Sequence, residues 1–265
     1  MLKKCLKYDF RSVFRLWWIM AVSMLGAAVV AGLGIRFFTQ CAASPDVPEG
    51  LLVLSSFAMI GSMFCIMAMV MGMTVSFILV FWRMYTHFYT DEGYLTFTLP
   101  AHSWQIFLSS LVNILIWTLI IMVVTAVSVF SIFLIGFVGV PEIEEALSQV
   151  NFSHEMEFLR DEFDIVMIIY GVVEFVTSAV IMMTCITLGS VLAKKHKIMA
   201  SIGVYYLWSL IMGIISTQLL GGALLNSVEV DFSRVYLIET ALALATAMGG
   251  FLLSTWIMDK KLNLP

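Results

Sequence analysis

Six apolar stretches, each long enough to cross a bilayer and almost free of charge, leave this chain few folds to choose from. They run from Leu16 to Phe38, Leu51 to Trp82, Trp104 to Val138, Ile165 to Leu192, Ile198 to Leu220 and Val235 to Met258. A hydrocarbon core takes about 20 mostly apolar residues in helical form, and a span inside it must satisfy its own backbone hydrogen bonds. Barrel strands would alternate apolar and polar side chains over about 10 positions, whereas these stretches are apolar throughout. An all-α polytopic membrane protein with six transmembrane helices follows. Composition agrees, with 61% apolar and 12% charged residues against roughly 45–50% and about 25% in soluble domains. The second, third and fourth stretches exceed what a bilayer requires, so those helices must tilt, kink or project into water.

Orientation is read from Lys and Arg. With the N-terminus inside, Lys3, Lys4, Lys7, Arg11, Arg15, Arg83, Lys194, Lys195, Lys197, Lys260 and Lys261 fall on the cytoplasmic side, leaving Arg36, Arg160 and Arg234 outside. This bias requires an even number of spans and places both termini in the cytoplasm. Residues 139–164 form an acidic extracellular loop, with eight carboxylates between Glu142 and Asp164 against one Arg. The basic N-terminus looks like the start of a signal peptide, but the apolar run behind it is too long and lacks a small-x-small cleavage site, so it reads as a retained span. Leu2, Leu6, Phe10, Val13, Phe14 and Trp17 recur at helical spacing with Lys3, Lys4, Lys7 and Arg11 on other faces, which predicts an interfacial amphipathic helix over residues 1–15. The whole chain, 1–265, reads as one transmembrane domain. Gly221 to Arg234 is either a surface loop or a re-entrant hairpin, and Ala241, Ala245 and Gly249 form a small-residue stripe for a close helix neighbour.

The cytoplasmic loop 83–103 is far longer than a passive connection needs and is rich in aromatic residues. Asp91 and Glu92 favour a helix start, Gly93 permits a sharp turn, and Pro100 suits the first turn of the next helix. Tyr94, Leu95, Phe97 and Leu99 offer apolar surface of the kind that marks a protein contact. The run Asp91-Glu92-Gly93-Tyr94-Leu95-Thr96-Phe97-Thr98-Leu99-Pro100, followed by Ser103 and Gln105, resembles the first cytoplasmic loop of six-span ABC exporter permeases of the type-two class. Residues 6 to 10, Leu-Lys-Tyr-Asp-Phe, are similar to the opening of the same proteins. One departure is Ser110, where members often carry Lys.

The resemblance implies a permease of the bacterial cell membrane, paired with a second copy or a paralogue and seated on a cytoplasmic ABC ATPase subunit. Asp91, Glu92, Gly93, Tyr94, Thr98, Leu99, Pro100 and Ser103 would then belong to a coupling helix docked on that ATPase. The cargo would be a peptide, drug or other amphipathic molecule. The sequence contains no Gly-x-x-x-x-Gly-Lys-Ser/Thr phosphate loop. ATP and Mg are therefore expected on the partner, with no cofactor and no enzymatic site in this chain, and no nucleic-acid partner.

Three polar side chains within the spans are candidates for a substrate pathway or gate. Glu174 lies roughly 14 Å into the fourth span, where an unpaired charge is costly. Glu239 lies about one turn from the outer boundary of the sixth, and Asn113 in the third reads as a helix cross-link. Glu174 also motivates a rival reading, an ion-coupled secondary transporter or channel, and a non-transporting scaffold or sensor is a third. Cys5, Cys41, Cys65 and Cys185 have no metal or disulfide spacing and read as free thiols. The histidines form no cluster within the spans, so no metal site is expected.

Overall fold

The computed structural model describes residues 2–44, 47–90, 102–138, 165–193, 195–225 and 232–260. These fold into six helices, α1 (Leu2–Ala43), α2 (Glu49–Tyr89), α3 (Ser103–Phe137), α4 (Ile165–Leu192), α5 (Lys197–Leu225) and α6 (Phe232–Lys260), with no strand among the described residues. Each contains a segment long and apolar enough to cross a membrane. Their outward faces carry large apolar side chains, among them Phe57, Phe64 and Met71 on α2 and Tyr206 and Leu210 on α5, each more than three-fifths exposed. Apolar surface on that scale requires lipid as its solvent. The chain is a multi-pass membrane protein.

Helix ends follow local chemistry. The carbonyl of Pro48 accepts from the amides of Leu51 and Leu52 at the start of α2, and Glu49 places a carboxylate at that positive end. α4 ends at Leu192 and α5 begins at Lys197, a separation in sequence short enough to make them antiparallel neighbours. Within the spans, hydroxyls donate to carbonyls of their own helix, as Ser55 does to Leu52 at 2.9 Å and Thr74 to Val70 at 2.9 Å. That is how these polar side chains are accommodated in an apolar setting.

Several expected boundaries shift. The amphipathic N-terminal stretch is helical but continuous with the first span in α1, because neither Gly nor Pro interrupts it before Gly26. The Gly221-Gly222 pair lies within α5 rather than opening a loop, since bundle packing tolerates helical glycines that would weaken a helix in water. Residues 226–231, 139–164 and 91–101 lie outside the described residues, and with them the re-entrant question, the acidic loop and most of the coupling loop.

The chain divides into two compact units, to both of which α1, α2 and α3 contribute residues. Unit one takes its described residues from Met1–Leu6, Phe81–Leu115 and Glu155–Pro265, and unit two from Lys7–Val80 and Ile116–His154. In unit two, α1 meets α3 where Trp17 and Trp117 stack with ring centroids 5.2 Å apart, and Phe10 stacks on Trp117 at 4.8 Å. A Cβ on Gly32 would lie 2.9 Å from the Ile135 Cβ, so the absence of a side chain sets that approach. Met24, Ala28 and Met69 form the buried core there, with Met73, Val124 and Ile132 around them. In unit one, α4 is the central helix, packed against both α5 and α6.

The small-residue contact of α6 runs along a different face from the expected one. Ala241 and Ala245 are exposed, and a Cβ on Gly249 would meet nothing within 4 Å. The contact with α4 passes instead through Ala243, Gly250 and Ser254. Ala243 is buried, a Cβ on Gly250 would stand 2.9 Å from Thr184 Oγ1, and Ser254 Oγ donates to that oxygen at 3.1 Å.

Candidate functional site

Three contacts fix the register of α6 against α4. The rings of Tyr170 and Tyr236 have centroids 5.5 Å apart, Thr177 Oγ1 donates to the Ala243 carbonyl at 3.3 Å, and Gly250 abuts Thr184. Each pair is 66 residues apart, so the two helices run parallel without slippage. The contact of Gly189, near the end of α4, with Ser201, near the start of α5, sets the antiparallel register of α5. Extended along the axes, these registers bring Glu174, Ser216 and Glu239 to one level.

At that level begins a cavity of about 350 Å³ walled by α4, α5 and α6. Tyr170, Glu174 and Glu239 stand at one end, where Ser216 Oγ donates to Glu239 Oε1. Glu174 is exposed and Glu239 is half-buried. Met182, Tyr205 and Trp208 line the other end, about 12 Å away by the helical rise from residue 174 to 182. The wall between is polar but largely self-satisfied. Thr177 and Thr246 donate to the Ala243 carbonyl, Thr246 at 2.8 Å, and Ser178 donates to Phe175 at 2.9 Å. Among the described residues no Lys, Arg or His lines the cavity.

A second polar locality lies where the cytoplasmic loop leaves α2 and enters α3. Tyr89, in the last turn of α2 and 3% exposed, has its hydroxyl 2.6 Å from Thr187 Oγ1 of α4, while its carbonyl accepts from Lys197 Nζ of α5 at 3.2 Å. Ser103, the first residue of α3, donates to Asp259 Oδ1 of α6. One turn further on, Phe107 meets Phe251 edge-on at 5.3 Å. Both flanks of the loop are thus fastened to the helix trio that walls the cavity.

The structure brings Glu174 and Glu239 together and leaves Asn113 outside the cavity lining. Asn113 Oδ1 is buried without a hydrogen-bond partner among the described residues, so the expected cross-link is not made through that atom. Ser103 is held to α6. Asp91, Glu92, Gly93, Tyr94, Thr98, Leu99 and Pro100 lie outside the described residues. Among the described residues no group of three or more His, Cys, Asp or Glu side chains stands together to hold a metal ion. Cys41, Cys65 and Cys185 are free.

Sequence reasoning missed Tyr170, Tyr205, Trp208 and Ser216 as lining residues, and the ties made by Tyr89, Thr187, Lys197 and Asp259. The three-residue spacing of Tyr205 and Trp208, which puts both on one helix face, was the available signal for that end. No family model matches the chain, and neither curated proteins nor solved structures yield a significant match.

Proposed function

We propose that this chain is the transmembrane permease subunit of an ATP-driven ABC exporter, moving a peptide, drug or other amphipathic substrate across the bacterial cell membrane. A separate cytoplasmic ATPase supplies ATP and Mg chemistry, and a second permease copy or paralogue completes the transporter. The carrying observation is the fastening of both loop flanks, through Tyr89 and Ser103, to the helices around the acidic cavity. A push on the 91–101 segment then reaches α4, α5 and α6 through short hydrogen-bonded links. An ATPase docked there biases two helix packings to the extent that its contacts differ between its nucleotide states. The absence of a phosphate loop in the sequence and the resemblance of residues 91–105 to a coupling loop support the same reading. Both termini face the cytoplasm in it.

Purification of the tagged full chain from its native membrane tests this. An ATPase subunit is expected to copurify, with hydrolysis stimulated by the permease. Substitution of Gly93 or Tyr94 is expected to remove the stimulation while leaving membrane insertion intact. Undiminished stimulation by those variants would count against the docking role.

One observation favours the ion-coupled carrier, namely that Glu174 and Glu239 share a single cavity. Flux that needs an ion gradient but no ATP, and that Glu174→Gln abolishes, would select it instead.

A further inference from the structure

The cavity between α4, α5 and α6 offers a guest two chemically different ends. Glu174 and Glu239 supply carboxylate oxygens at one, while Trp208, Tyr205 and Met182 supply aromatic and apolar surface at the other. The hydroxyls of Thr177, Ser178, Thr246 and Ser216 are already donating, three to helix carbonyls and the last to Glu239. Neutral donors remain in the hydroxyls of Tyr170, Tyr205 and Ser209 and the Trp208 indole, but among the described lining residues the two carboxylates have no cation beside them, and an ionised carboxylate only accepts.

Charge decides among guests. A carboxylate this far into a span is costly when nothing of opposite sign is near, and a positively charged guest offsets that cost while an anion adds to it. Tyr170 lines the same end of the cavity as the carboxylates, and a cation held over its ring would gain a cation–π contribution. A small inorganic cation would leave the aromatic end without a partner, and a wholly apolar molecule would leave the carboxylates uncompensated. The volume, about 350 Å³, lies in the range of small-molecule sites.

We infer that this cavity is a binding site for amphipathic organic cations, with an ammonium-type head between Glu174 and Glu239 and an apolar body against Trp208 and Tyr205. The site deepens the transport reading by naming a substrate class, and rests on that reading for its physiological role. Binding itself needs no ATPase.

The test is titration calorimetry of the full chain in lipid nanodiscs, corrected with empty discs, using octyltrimethylammonium as the probe and octanol and octanoate as neutral and anionic counterparts. One saturable site for the cation is expected, with the neutral and anionic probes at least about tenfold weaker, the scale of a charge-assisted contact. The double variant Glu174→Gln/Glu239→Gln is expected to lose about tenfold or more in affinity. Trp208→Ala, at the far end, is expected to lose severalfold. Equal binding of octanol and octyltrimethylammonium to the unaltered chain overturns the inference without recourse to any variant, as does unchanged cation affinity in the folded double variant. Cation binding by a chain that recovers no ATPase upholds the site and removes the exporter reading. ATPase recovery with no cation binding does the reverse.

Discussion

Gly189→Ala tests the helix register on which the cavity depends. A Cβ at this position would sit 2.2 Å from Ser201 Oγ, 2.4 Å from the Ser201 amide nitrogen and 2.5 Å from its Cα. Carbon atoms rest about 3.5–4.0 Å apart, so α4 and α5 must separate locally by about 1 Å. The Ser201 hydroxyl has rotameric freedom to move aside, but the backbone nitrogen and Cα do not. Overpacking against fixed atoms costs about 3 kcal/mol at the upper end of the usual range. Replacing a helical glycine by alanine returns about 1 kcal/mol, leaving a net loss of about 2 kcal/mol. For a chain of this size that is roughly 4–8 °C in the unfolding midpoint. The measurement is thermal unfolding of the detergent-solubilised protein, read as loss of the monodisperse peak. Gly203→Ala on α5 is the control, because a Cβ there meets nothing within 4 Å. It should be neutral or slightly stabilising. Adding Ser201→Ala removes the hydroxyl contact and leaves the backbone ones, so rescue should be partial at most. If Gly189→Ala and Gly203→Ala unfold together, the close approach of α4 to α5 is wrong.

Other perturbations have equally definite outcomes. Gly34→Ala would bring a Cβ within 2.9 Å of the Ala58 carbonyl oxygen, and the same unfolding assay should show a loss of about 1–3 kcal/mol. Trp117→Ala removes the ring on which Trp17 and Phe10 stack, with an expected cost of about 3–5 kcal/mol and a lower yield of monodisperse protein. Tyr89→Phe deletes the bond to Thr187, whose hydroxyl keeps its own bond to the Met183 carbonyl. About 1 kcal/mol of stability should be lost. On the proposed function, ATPase stimulation should fall further in this variant than in Gly34→Ala.

The six spans were legible because lipid excludes charge, and charge is what the sequence displays most plainly. Their limits were less so. Gly221 and Gly222 read as loop residues by the rules of water-soluble chains, yet α5 runs through them to Leu225. The small-residue stripe was assigned to Ala241, Ala245 and Gly249 on spacing alone, and spacing cannot say which face of a helix meets its neighbour. The offset linking Thr177 to Ala243 selects the face with Gly250. Glu174 stood out because an acid among twenty apolar residues is anomalous. Glu239, about one turn from the outer boundary of its span by sequence, lines the same cavity as Glu174 because the offset of 66 residues between α4 and α6 brings the two to one level. Tyr205 and Trp208 carried no such mark, since aromatic residues are ordinary in a span. The ties from Tyr89 to Thr187 and from Ser103 to Asp259 join residues 98 and 156 positions apart, and no local pattern encodes such pairs.

A photoreactive amino acid placed at Tyr94 of the full-length chain, activated in native membranes, reports directly what the loop touches. A covalent adduct with a cytoplasmic ATP-hydrolysing subunit, altered in yield by nucleotide, is the expected result. An adduct with lipid alone, or labelling of the same position by a membrane-impermeant reagent applied from outside the cell, would contradict it.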